Sequence, residues 1–156
     1  MRTRRALLVA LLGLAAGLAG PAAAPPVVLD LQVGGERLRL DPAELAARVP
    51  LAAGEDFRVA ELARDAHSSH HVVAIRTAEI PHRHDRHDLQ VVMLRGHGSW
   101  RVGERSEPVG EGSVLYVPRG TLHAFSNQAS EPALAYAVYT PAFEGSDRVE
   151  VPDPEP

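Results

Sequence analysis

From Phe57 onward the chain is a succession of short β-branched and aromatic runs: FRVAEL, HHVVAIR, LQVVMLR, SWRVG, SVLYVP, HAFSN and LAYAVYT. Gly, Pro, Ser, Asp and Asn stand between many of them. Branched and aromatic side chains pack well on a pleated surface, while glycine and proline punctuate the ladder. Runs this short and this regularly spaced leave little room for crossover helices. They favour an antiparallel, all-β sandwich or barrel over an α/β sheet. The chain shows no internal repeat.

The region before Phe57 reads differently. Val27–Val33 and Arg37–Leu40 flank Gly34-Gly35, which is a hairpin signal. Asp41-Pro42-Ala43-Glu44 follows as a helix start. Asp41 can cap, Pro42 suits the first helical position and Glu44 can close a capping box. The helix is expected to run to about Leu51 and to stop near Gly54. Further upstream, MRTRR supplies a positive start and ALLVALLGLAAGLA an apolar stretch of signal-peptide length, too short to span a bilayer comfortably. Ala22-Ala23-Ala24 offers a cleavage site, so a mature protein beginning near Ala23 or Pro25 is expected in the periplasm or outside the cell. The arginine pair also resembles a twin-arginine export signal. No stable membrane anchor is expected after cleavage. The expected organisation is therefore residues 1–24 as signal peptide, 25–56 as an extension with one short helix, 57–141 as the barrel and 142–156 as a flexible acidic, proline-rich tail.

A chain of 156 residues suits one compact domain. The net charge of −4 and the lack of basic runs argue against a nucleic-acid face. There is no cysteine, so disulfides, thiolate metal sites and a cysteine nucleophile are excluded. Any metal must sit on histidine and oxygen ligands.

Of the eight histidines, three fall in PHRHDRHDLQVV, residues 81–92. His82 and His84 are two apart, so on a strand both point to the same side and form half of a metal site. A second stretch, GSVLYVPRGTLHAFSN at residues 112–127, can complete it. The Pro118-Arg119-Gly120 turn can lay two strands side by side and swing His123 onto the same wall. The chain resembles the cupin superfamily at these residues. Gly112, Pro118, Gly120, His123 and Asn127 match its motif G-x5-P-x-G-x2-H-x3-N at every fixed position. His82, His84 and Gly96 match its motif G-x5-H-x-H-x3,4-E-x6-G, whose leading glycine is Arg76 here. The glutamate position falls on Leu89 with one spacing and on Asp88 with the other.

The resemblance implies a cupin double-stranded β-helix, the RmlC-like jelly roll, over residues 57–141. It implies a divalent transition metal (Fe, Mn, Ni or Zn) on His82, His84 and His123. The fourth ligand is expected to be Asp88, then His87, then water, in that order of preference. Cupins include dioxygenases, isomerases, decarboxylases, sugar-binding sensors and storage proteins. A three-histidine site without a tight carboxylate resembles that of cupin thiol dioxygenases. The expected function is an exported metal-dependent enzyme, oxygenase- or isomerase-like, acting on a small molecule. The alternative is a non-catalytic binding module, and small cupins often pair as homodimers. Of the other histidines, His70 and His71 head a strand, one facing in and one out, while His67 and His97 read as surface. Trp100 and Tyr116 read as core or pocket wall, and Arg119 as a solvated turn residue.

Overall fold

The computed structural model describes residues 29–151. The signal-peptide expectation for residues 1–24 and the last residues of the tail lie outside the described residues. The chain enters through a hairpin, β1 (Leu29–Val33) and β2 (Glu36–Leu40), and a helix, α1 (Pro42–Arg48). Asp41 accepts from the Glu44 amide at 2.9 Å, and Glu44 accepts from the Asp41 amide at 2.8 Å, so the capping box forms as its sequence predicts. The helix ends at Arg48, a turn short of Leu51.

The strands that follow are β3 (Phe57–Arg64), β4 (Ser69–Ile75), β5 (His82–His84), β6 (Asp88–Arg95), β7 (His97–Val102) and β8 (Arg105–Gly110). They continue as β9 (Val114–Val117), β10 (His123–Asn127), β11 (Ala133–Thr140) and β12 (Arg148–Glu150). Two five-stranded antiparallel sheets result, in the orders β12-β5-β10-β7-β8 and β3-β4-β11-β6-β9. They form a jelly roll, the double-stranded β-helix expected from the strand pattern.

Two apolar clusters explain the side-chain pattern. The barrel interior holds Val73, Ile75, Leu89, Val91, Met93, Trp100, Val117 and Phe125. On the outer face of the second sheet, Val72, Ala74, Leu94 and Leu134 pack with Leu40, Leu45 and Val49 from the hairpin and helix. That sheet is therefore covered on both faces. This is why β4 reads as a continuous apolar run, with Val72 to Ile75 all buried, instead of alternating. Full burial of Leu45, 1 % exposed, contributes about 2 kcal/mol to holding the extension on the barrel.

Two expected boundaries change. β12 hydrogen-bonds β5, Arg148 opposite His84 and Glu150 opposite His82, so the barrel runs beyond residue 141. The stretch expected to begin a flexible tail is hydrogen-bonded along β5 as far as Val151, whose amide donates to the Pro81 carbonyl at 2.8 Å, and Asp147 is only 4 % exposed. The Val149 strand residue and the buried Asp147 anchor it, which the Pro and Glu content of the last six residues obscured.

Candidate metal centre

Strand β5 is three residues long, and its alternation sends His82 and His84 inward and Arg83 outward. Strand β10 lies antiparallel beside it with His123 directly opposite His82. The Pro118-Arg119-Gly120 turn sets that register. Gly120 takes φ +76°, which a side chain would resist, and its amide donates to the His84 carbonyl at 2.7 Å. The three imidazoles converge, with ring centroids 4.3 Å apart for His82–His123, 5.2 Å for His82–His84 and 5.6 Å for His84–His123. One nitrogen from each lies within 4.8 Å of the others.

Each ring is oriented by an oxygen behind it. His82 Nδ1 is 2.9 Å from the Ile80 carbonyl, His123 Nδ1 is 3.0 Å from the Thr121 carbonyl, and His84 Nδ1 is 3.1 Å from Asp147 Oδ1. Carbonyls and carboxylates only accept, so each Nδ1 carries the proton and each Nε2 keeps its lone pair. The Nε2 atoms of His84 and His123 are buried without any hydrogen-bond partner. Such an orphaned pair is costly unless something binds it. Burial favours the neutral rings: it drives His82 down to about 3, helped by neighbouring His123, and His123 to about 4. His84 is lowered too, by burial first and against the pull of Asp147. Three neutral nitrogen donors with paired Nδ1 atoms fit a divalent transition metal.

The structure engages the expected fourth ligand, Asp88, elsewhere. Asp88 faces away from the cluster, and its carboxylate accepts from the Arg119 amide at 2.9 Å and from Arg119 Nε and Nη2 at 3.1 and 3.0 Å. The tight bend at Asp85-Arg86-His87 resets strand parity, so Leu89, 5 % exposed, takes the inward direction. Asp88 works on the turn instead, pinning the loop that delivers His123. Arg119 is thus paired, not merely solvated. His87 is also elsewhere, with Nδ1 2.5 Å from Asp147 Oδ2 and Nε2 3.3 Å from the Ala142 carbonyl.

Asp147 is the residue that sequence reasoning missed. Its carboxylate joins His84, His87 and the Arg86 amide, the last at 2.9 Å. Burial alone would raise its pKa, but these hydrogen bonds outweigh burial and hold it below the usual carboxylate range. Its only signal in the sequence was a polar Asp-Arg pair preceding Val-Glu-Val.

The cluster sits at the wall of a cavity of about 280 Å³. The facing sheet is apolar, with Val73, Val91 and Met93, and Phe125 flanks the cluster on β10. Trp100 lines it as one of the two expected aromatics, while Tyr116 is exposed. His71 faces the cavity and is lowered by burial to about 4, while His70 turns outward to Tyr136. His67 and His97 are exposed, as expected. Glu79 also lines the cavity. The residue keeps partial exposure, but its carboxyl lies among protein atoms, and burial pushes it up to about 7 against the pull of Arg148.

Residues 69–139 match the family described as "Cupin domain". The matched part of the chain is a cupin domain. An uncharacterized protein of Aquifex aeolicus (strain VF5) is 32 % identical to this cupin over 97 residues, 62 % of this chain and 79 % of that one. A Klebsiella pneumoniae protein with a double-stranded β-helix domain superposes with a TM-score of 0.60 at 14 % identity, covering 70 % of this chain and 95 % of that one. Pac13, described as a nucleoside dehydratase and from Streptomyces, has a TM-score of 0.56 at 15 % identity, covering 70 % and 90 %.

Proposed function

We propose that this cupin is an exported, metal-dependent enzyme that acts on a small molecule inside the barrel, in a reaction of oxygenase or isomerase type. One observation carries the reading: three buried imidazoles with fixed Nδ1 protons bring one nitrogen each within 4.8 Å of the others on the wall of an apolar cavity, and the Nε2 atoms of His84 and His123 have no partner. A divalent ion on His82, His84 and His123 would supply Lewis acidity and open coordination positions there. A purely structural ion would be closed by a fourth protein ligand, and the inward Leu89 offers none.

The chain's own groups do the rest. The apolar wall excludes water and orients the body of the substrate. Glu79, with a pKa near 7, holds or releases a proton at neutral pH beside that space. Asp147 keeps His84 in the ligating tautomer. Pac13 supports the idea that a barrel of this shape houses chemistry on a small molecule, since it is described as a dehydratase and is also seen with uridine. The export reading is supported by the arginine-flanked apolar start and by Ala22-Ala23-Ala24.

Metal analysis of protein recovered from its own export route, without added metal, tests the core of this. About one transition metal per chain is expected, lost in His84→Ala and His123→Ala. Dioxygen uptake or turnover on a compound panel then separates an enzyme from a binding module. Wild-type protein that carries no metal and takes none up would end the metalloenzyme reading. An intact Met1 on the exported form, by mass spectrometry, would end the cleavage reading.

A further inference from the structure

Arg148 on β12 is the arginine among the described residues lining the cavity, and it lacks the side-on carboxylate that four other arginines hold. Four arginines grip a carboxylate side-on through the Nε–Nη2 edge. Arg37 holds Asp30 at 3.0 and 2.6 Å, and Arg58 holds Glu55 at the same two distances. Arg64 holds Glu61 at 2.8 and 2.5 Å, and Arg119 holds Asp88 at 3.1 and 3.0 Å. Arg148 has no carboxylate on that edge. Its Nη1 is taken by Glu150. Its Nη2 reaches the Ile80 carbonyl only at 3.5 Å and lies 3.3 Å from His82 Nδ1. Its Nε is buried with no hydrogen-bond partner. A guanidinium N–H left unpaired inside a protein is expensive and calls for an acceptor. The Phe57 ring, 5.5 Å from the guanidinium carbon, holds the group against the cavity wall.

We propose that the cavity takes a small carboxylate with an apolar body, its carboxylate seated on the Nε–Nη2 edge of Arg148 beside the histidine cluster. This rests on the functional reading above only in placing the ligand in the same cavity. A carboxylate fits better than a phosphate. The Nε–Nη2 edge presents two parallel donors at the spacing of one carboxylate, Nε unpaired and Nη2 held only by long contacts, and no second arginine among the described residues lines the cavity. Val73, Val91, Met93 and Phe125 fix the apolar body. About 280 Å³ lies just under the usual range of drug-sized sites, so the ligand is compact. Glu79 is the lining carboxyl, and its charge opposes the same ligand.

Calorimetric titration with benzoate and its neutral analogue benzamide tests this on the protein as purified, at pH 8 and with metal content measured for every variant. Wild-type protein should bind benzoate at least about tenfold tighter than benzamide, the value of one or two charge-assisted hydrogen bonds. Arg148→Gln should lose that preference while keeping its metal, and Arg148→Lys should recover part of it. Glu79→Gln should bind benzoate several-fold more tightly, because it removes the opposing charge. Equal benzoate affinity in wild type and Arg148→Gln overturns the proposal, as does a wild type that binds benzamide as well as benzoate or binds neither. If Arg148→Gln does not fold, Glu79→Gln decides, and unchanged or weaker benzoate binding counts against the proposal. A wild type without metal that still prefers benzoate through Arg148 would sink the metalloenzyme reading and leave this one standing.

Discussion

Replacing Asp147 by alanine should damage the metal centre without removing a ligand. Three donors converge on this carboxylate: His84 Nδ1 at 3.1 Å, His87 Nδ1 at 2.5 Å and the Arg86 amide at 2.9 Å. His84 and His87 are each 3 % exposed, so solvent cannot easily replace the lost acceptor. Each orphaned buried donor costs roughly 1–3 kcal/mol. The Arg86 amide lies nearer solvent and can recover a water, and either ring can change tautomer, so the net loss should be about 3 kcal/mol, in line with breaking a buried polar pair. The tautomer change carries the functional effect. A His84 ring that moves its proton to Nε2 aims a donor, not a lone pair, at His82 and His123. Metal affinity should therefore fall by about 10- to 100-fold. Urea unfolding of the metal-free protein reads the first effect, and competition against a chromophoric chelator reads the second. Asp147→Asn, which keeps the shape and one acceptor, should fall between. Metal affinity within about twofold of wild type in Asp147→Ala would refute the reasoning.

Leu89→Glu should tighten metal binding and weaken benzoate binding in the same titrations, because Leu89 already points into the cavity. Asp88→Asn should leave metal affinity unchanged, since its carboxylate serves Arg119; a large loss would restore it as a ligand. The metal-free fold should weaken as pH falls below about 6.5 and go on weakening towards about 3 to 4, because His82 and His123 are held neutral in the fold and take up protons more readily when unfolded. Glu79 works the other way: its raised pKa stabilises the fold fully below about 4.5, and that contribution fades by about 7. Urea midpoints across this range check both, and Glu79→Gln should steepen the net rise in stability between those limits. Gly98→Ala should destabilise by about 1–3 kcal/mol or prevent folding, because a Cβ there would sit 2.1 Å from the Ser126 carbonyl oxygen and 2.8 Å from the Phe125 ring. A midpoint shift close to zero would show that β7 can move away from β10.

The barrel was legible because its signals are local. Each of the seven runs named from branched and aromatic content falls on a strand, and the hairpin and capped helix rest on Gly34-Gly35 and on Asp41 to Glu44. Strands β5, β8 and β12 carried weaker signals. β5 is three polar residues, β8 contains Pro108 and Glu107, and β12 hides in an acidic tail. β5 and β12 hold their place through partners distant in sequence, such as Arg148 opposite His84, while β8 is held by its hairpin with β7. The three-histidine cluster was readable because strand alternation fixes His82 with His84 and a proline–glycine turn fixes His123. The fourth position was not, because it depends on how Asp85 to His87 bend, and a bend of that kind resets which residues face in. Asp147 lies outside both motifs and Glu79 on a variable position of the first, and only the closure of the barrel brings Glu79 to the cavity and Asp147 behind His84.

The inward Leu89 changes the charge inventory of the cavity, and that links the metal reading to the ligand reading. The lining histidines His71, His82 and His123 are held neutral by burial, and the Tyr139 hydroxyl is pushed up by burial and stays protonated. Glu79 is poised near neutrality, and Asp147 meets the cluster only through His84. A dication on the imidazoles would thus share the cavity with the Arg148 guanidinium and with little fixed negative charge facing it. In a poorly solvated interior, like charges repel far more than in water. A glutamate at position 89 would offset this surplus inside the protein. With leucine there, an anionic ligand is the remaining partner for both cations. The same substitution that opens a coordination position therefore also selects the charge of what can occupy it.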